Sequence, residues 1–198
     1  MHQNSAIMRT LLFLFSLFIG LQTFAQKKDC QYTTKINDSI GSYKETKSYL
    51  MHEKVFGGNS TYLFFSLANE QGVPFLKLQR IEKSLDFIKA SCFDKNSRIF
   101  IQLLNGKIIT LVYGDQETCG NLIRLENDPI NSRLISGNFV FLKGSIEELK
   151  SSPIWEIRIR FATETVDFAI KKEFHSELMN ETYTPERYFI ENLDCILN

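Results

Sequence analysis

The chain has 198 residues with 23 basic and 23 acidic side chains, a formal net charge of zero. This balance leaves no electrostatic footprint for nucleic acid or for an anionic lipid surface. After the N-terminal segment no apolar run is long enough for a transmembrane helix, and seventeen Phe with seven Tyr point to an aromatic-rich sheet core.

Arg9 supplies a positive start, Leu11–Gly20 an apolar stretch too short to span a bilayer, and Thr23-Phe24-Ala25 a small-x-small cleavage site. Residues 1–25 therefore read as a cleaved secretory signal and residues 26–198 as a single exported globular domain. Lys27, Lys28 and Asp29 before Cys30 do not form a lipid-attachment signal. The Thr23-Phe24-Ala25-Gln26 ending resembles signal peptides of exported Bacteroidetes proteins. The resemblance covers the signal alone and implies a bacterial envelope, periplasmic or secreted, as the setting.

Cys30, Cys92, Cys119 and Cys195 all follow the signal. An even count in an oxidising compartment predicts two disulfides, and the absence of a C-x-x-C pair argues against a zinc site.

In chain order, Cys30–Ile36 reads as a strand, Asn37–Gly41 as a turn, Ser42–Val55 as a further strand and Gly57-Gly58-Asn59 as a turn. Tyr62–Ala68 and Val73–Arg80 form a hairpin over a four-residue loop, Asn69–Gly72, with Leu63, Phe65, Leu67, Leu76 and Leu78 on one face. Leu78, Ile81, Leu85 and Ile88 carry a helical spacing, which predicts a helical turn around Ser84–Lys89.

Asn105-Gly106 lies between two apolar runs and signals a two-residue type I′ hairpin. That register pairs Leu103 with Ile108, Ile101 with Thr110 and Ile99 with Val112 on one face. The other face pairs Gln102 with Ile109, Phe100 with Leu111 and Arg98 with Tyr113. Continued unbroken, it brings Cys92 opposite Cys119 with Cα atoms about 5.5 Å apart or less, within disulfide reach. Cys30 and Cys195 then form the second pair.

Asn121–Leu125 is a short strand, Glu126–Ser132 a loop, and Leu134–Lys143 a strand in which Gly137 marks a bulge. Ser145-Ile146-Glu147-Glu148 fits a capping box opening a brief helix that stops before Pro153. Trp155–Phe161 and Val166–Ile170 form a hairpin over Ala162–Thr165. Its apolar face pairs Phe161 with Val166, Ile159 with Phe168 and Ile157 with Ile170, and its wet face pairs Arg160 with Asp167 and Glu156 with Lys171. Lys172–Met179 reads as helical. Thr184-Pro185-Glu186 opens a last helix whose Tyr188, Phe189, Leu193, Ile196 and Leu197 dock on the sheet. The fold class is α+β, mostly antiparallel β, a sandwich- or roll-like sheet with a short capped helix and a docked C-terminal helix.

No nucleophile elbow, phosphate-binding glycine loop or H-E-x-x-H occurs. Glu173, His175 and Glu177 read as a solvated polar face, and Glu126, Asn127, Asp128 and Asn131 lack the spacing of a calcium loop. No catalytic residue, metal ligand or cofactor is assigned. Trp155, Arg158, Arg160 and Tyr113 form the candidate ligand face, suited to a sugar or an anion. The expected function is an exported, non-enzymatic binding or interaction protein of a bacterial cell envelope, with a protein or glycan partner. The alternatives are an exported glycan-directed hydrolase using carboxylates and a structural envelope component.

Overall fold

The computed structural model describes residues 29–124 and 129–197. The signal sequence, residues 26–28, Leu125, the acidic stretch Glu126–Asp128 and Asn198 lie outside them. The strands are β1 (Tyr32–Asn37), β2 (Ser42–Thr46), β3 (Tyr49–Phe56), β4 (Asn59–Glu70), β5 (Val73–Ser84), β6 (Cys92–Phe93), β7 (Arg98–Leu103), β8 (Ile108–Tyr113), β9 (Thr118–Cys119), β10 (Asn121–Ile123), β11 (Asn131–Phe141), β12 (Ile154–Arg160), β13 (Thr165–Ala169), β14 (Phe174–Ser176) and β15 (Glu181–Tyr183). The helices are α1 (Ser145–Ser151), a 3-10 turn over Pro185–Arg187, α2 (Tyr188–Asn192) and α3 (Asp194–Leu197). Among the described residues no helix is long and apolar enough to cross a membrane.

One large antiparallel sheet runs in the order β1-β2-β4-β5-β11-β8-β7-β12-β13, with β3 also on β4 and β10 also on β11. The small ribbons β6-β9 and β14-β15 complete it. β2 and β3 share one edge of β4 as a single bent strand. The pairing slips one residue between Glu45↔Ala68 and Tyr49↔Phe65, and again between Leu50 and His52. Such bulges bend a strand and increase its twist. At the first slip the Thr46 hydroxyl accepts the Leu67 N–H at 2.9 Å, so the interrupted ladder leaves no orphan there. The curled sheet gathers side chains from β4, β5, β11, β8, β7 and β12 into one core, into which the C-terminal segment inserts Tyr188, Phe189, Leu193 and Ile196. The far ends approach each other, with His52 Nδ1 on β3 lying 3.3 Å from the Ala169 carbonyl on β13. The expected antiparallel fold with a docked C-terminal helical segment is therefore observed, with the sheet rolled.

Three hairpin registers differ from the sequence reading. The β4–β5 loop is two residues, Gln71-Gly72, with φ of 49° and 88°; both central residues are left-handed, the type I′ requirement. Asn105-Gly106 is instead part of a three-residue loop. Gly106 N–H bonds to the Leu103 carbonyl and Leu103 N–H to the Lys107 carbonyl, and only Gly106 has positive φ. Ile101 therefore faces Ile109, not Thr110, and Ile99 faces Leu111. A one-residue slip turns every β8 side chain over. The observed choice buries Ile109, Leu111 and Tyr113 beside Ile99 and Ile101, where the two-residue loop would put Thr110 and Val112 in the core. The β12–β13 loop tightens to Ala162-Thr163, with Phe161 N–H on the Glu164 carbonyl. That shift is two residues, so the apolar face survives, but its pairs become Ile159↔Val166 and Ile157↔Phe168.

Both disulfides form, Cys30–Cys195 with Cα atoms 5.5 Å apart and Cys92–Cys119 at 4.0 Å. Cys92 pairs with Cys119 in the β6–β9 ribbon. The slip at the Gly106 loop is compensated by one extra residue in the segment after Tyr113.

Four local expectations are corrected. Ser84–Lys89 is not helical, because β5 is held on both edges as far as Ser60↔Lys83 and Asn131↔Ser84. Lys172–Met179 is not helical either. Asn180 takes φ 52° and turns β14 back onto β15, with the Phe174 and Tyr183 rings stacked 5.8 Å apart. Ser145 caps nothing; Gly144, at φ 82°, holds the cap position, and the Glu148 carboxylate goes to Lys107 Nζ at 2.6 Å. Gly137 makes no bulge, since β11 pairs with β5 without interruption. In the last segment Leu197 is 39% exposed, so it lies off the buried stripe.

Candidate binding face

β8, β7, β12 and β13 lie side by side. Strand alternation sends Ile99, Ile101, Leu103, Ile157 and Ile159 into the core and leaves Arg98, Phe100, Gln102, Arg158 and Arg160 on the outer side. The β12 register shifts between Ile154↔Leu103 and Glu156↔Gln102. Trp155 is the extra residue of that bulge and projects to solvent beside Glu156, 58% exposed.

A depression of about 220 Å³ opens on this face, lined by Phe100, Gln102, Ile108, Glu156, Arg158 and Arg160. Leu104, Ile108 and Trp155 are each more than half exposed. Arg158 faces Asp167 across the ladder and grips it with two bonds, Nε to Oδ1 at 2.5 Å and Nη2 to Oδ2 at 2.8 Å. These hydrogen bonds hold the Asp167 carboxyl below its ordinary pKa and raise that of Arg158. The tighter loop thus exchanges the expected Arg160–Asp167 pair for Arg158–Asp167 and puts Ala169, not Lys171, opposite Glu156. Arg160 lies over the Phe100 ring at 5.4 Å, a cation–π geometry.

Of the four expected face residues, Arg158 and Arg160 line the depression, while Trp155 is exposed on the same strand, next to the lining residue Glu156 but not itself part of the lining. Tyr113 does not join them. It is 6% exposed on the opposite side of the sheet, packed on Phe93 and Phe139, with its hydroxyl donating to the Gln116 carbonyl at 2.7 Å. The three-residue loop that turns β8 over is the cause. Phe100 and Gln102 were readable as face residues from their alternation with Ile99, Ile101 and Leu103. Ile108 needed the register.

His175 stands exposed on β14, its Nδ1 3.3 Å from Thr182 Oγ1. Among the described residues no group of three or more His, Cys, Asp or Glu is placed to hold a metal. Asn131 opens β11 with its side-chain oxygen accepting from Arg124 Nε at 2.8 Å, while its amide reaches the Leu85 and Asp86 carbonyls. Glu126, Asn127 and Asp128 lie outside the described residues. No protein-family model, curated protein or solved structure matches the chain.

Proposed function

We propose that the chain is an exported, non-enzymatic binding protein of a bacterial cell envelope that takes a glycan on the outer face of β8-β7-β12-β13. The signal-like N-terminus and the two disulfides support export. The observation that carries the reading is the placement of the only tryptophan. Trp155 is pushed into solvent by a bulge, next to a depression whose polar groups are planar: Gln102, Glu156, Arg158 and Arg160. An indole supplies a large apolar platform at little entropic cost, and planar amide, carboxylate and guanidinium groups match the paired hydroxyls of a sugar ring.

The test is retention on immobilised envelope polysaccharide. The wild type is retained and Trp155→Ala is not, while both unfold at the same temperature. Equal retention of the two proteins removes this face from the function.

A further inference from the structure

The outer face of β7, β12 and β13 is arranged in cross-strand rows. Arg158 sits between Asp167 on β13 and Phe100 on β7, and Glu156 sits between Ala169 and Gln102. In the row beyond Arg158, Arg160 faces Thr165 on one side and Arg98 on the other. Two arginines therefore stand directly opposite one another, on residues whose Cα atoms lie about 4.5–5.5 Å apart. Like charges in that relationship are destabilising.

No acid of the face relieves the pair. Asp167, diagonal to Arg160, has both carboxylate oxygens taken by Arg158. Glu156 lies two rows away, on the far side of Arg158. Among the described residues Arg160 has neither a hydrogen-bond nor an ion-pair partner, and its guanidinium rests on the Phe100 ring. Arg98 donates through Nη1 to the Lys95 and Ser97 carbonyls at 2.8 and 2.7 Å, which fixes its guanidinium and brings it no counter-charge. Arg98, Arg158 and Arg160 against Glu156 and Asp167 leave this face with an excess of positive charge, on a chain whose net charge is zero.

Charge complementarity then selects the occupant. Opposed guanidinium groups with no acid beside them are neutralised by an oxyanion, which their planar forks bind with parallel hydrogen bonds. Trp155 lies five residues back along the same strand, a span of roughly 16 Å at the rise of a strand and too long for one sugar ring. Resting on the glycan reading of this face, we infer that its ligand is an acidic oligosaccharide, with one ring on Trp155 and a carboxylate or sulfate between Arg98 and Arg160. The opposed arginines are then a binding site held at the expense of stability, and the anion that binds them removes their repulsion.

The test uses the full mature chain and three oligosaccharides of equal length, read by calorimetry at low and high salt: a uronic acid chain, its carboxyl-reduced neutral form, and that neutral form sulfated. At least one acidic chain binds about tenfold tighter than the neutral one, the low end of what hydrogen bonds to a charged group supply, and added salt narrows the difference. The tighter of the two acidic chains identifies the anion. Arg160→Gln brings that chain down to the affinity of the neutral one while the melting temperature stays level or rises, and Trp155→Ala weakens all three. Equal affinity for acidic and neutral chains, lost in Trp155→Ala, overturns the anion site and leaves the sheet-face reading standing. A preference for acidic chains that survives both Arg160→Gln and Arg98→Gln places the anion elsewhere and also overturns it. Binding by none of the three removes both readings.

Discussion

Gly137 lies directly against Tyr113, so that a Cβ at Gly137 would stand 2.7 Å from Tyr113 Cε2 and 2.9 Å from Phe93 Cδ2. β11 passes here beneath an aromatic group in which Phe93 stacks on Phe161 at 5.0 Å and meets Phe139 edge-on at 5.2 Å. The glycine is a packing requirement. Gly137→Ala is expected to destabilise by about 1–3 kcal/mol, because the rings cannot yield without disturbing one another. Thermal unfolding should show a fall of roughly 2–4 °C per kcal/mol.

The two disulfides should differ in worth. On the loop-entropy model the bridge with a sequence separation of 27 contributes about 3.5 kcal/mol and that with a separation of 165 about 5 kcal/mol. Paired Cys→Ala variants measured by urea unfolding should show the larger loss for Cys30/Cys195.

Much of the architecture was legible because alternation marks faces strongly. β7 and β12 read correctly as half-buried strands, and the terminal cysteines pair as the two left over once the hairpin gives Cys92 to Cys119. Loop length was the weak point. Asn-Gly suits both a two-residue loop and a three-residue loop ending in left-handed Gly106, and only the burial of Ile109 and Leu111 against a distant core separates them. The Cys92–Cys119 pair was reached despite that slip, because the extra residue after Tyr113 restores the offset. The helical stripe over Leu78–Ile88 lost to ladder bonds from two neighbours that no local window contains.

Acid should weaken the fold through Glu45. Burial pushes this carboxyl upward, but hydrogen bonds from Tyr43 and Lys77, the Lys77 charge and the Ser66 hydroxyl outweigh it and hold the pKa below the ordinary glutamate value. The folded state then binds fewer protons than the unfolded one. Its stabilisation is complete above the unfolded value of about 4.3 and is lost as pH falls through the lower folded value. Glu45→Gln should cost about 2 kcal/mol at neutral pH, in the range of charge-assisted hydrogen bonds, and flatten the acid limb of stability against pH.

His52 adds an earlier acid response. Burial lowers its pKa, the bond to the Ala169 carbonyl opposes that, and the Lys171 and Lys54 charges add to the lowering. A lowered histidine contributes stability above its unfolded value of about 6.5 and loses it as pH falls toward the folded value. The imidazole NMR titration midpoint of His52 should lie below the ordinary histidine value of about 6.5, and a midpoint at or above that value would contradict burial of the ring at the β3–β13 approach.

Arg158 and Arg160 should separate in their effects. Arg158 is held by Asp167, whereas Arg160 rests on Phe100 at the depression. Asp167→Asn should leave the melting temperature unchanged, as for most exposed pairs, and lower glycan retention by letting Arg158 swing away. Arg160→Lys should also lower retention, because an ammonium keeps the charge and loses the planar, stacked fork. Retention assays on both variants check this.

The most direct measurement is the emission of Trp155, the only tryptophan in the chain, during titration with soluble fragments of envelope polysaccharide. A glycan seated on this face must desolvate an indole that is 58% exposed in the free protein. A saturable blue shift, lost in Arg160→Lys, is the predicted result. Fragments that bind by calorimetry while the Trp155 emission stays at its free wavelength would contradict the assignment of the face.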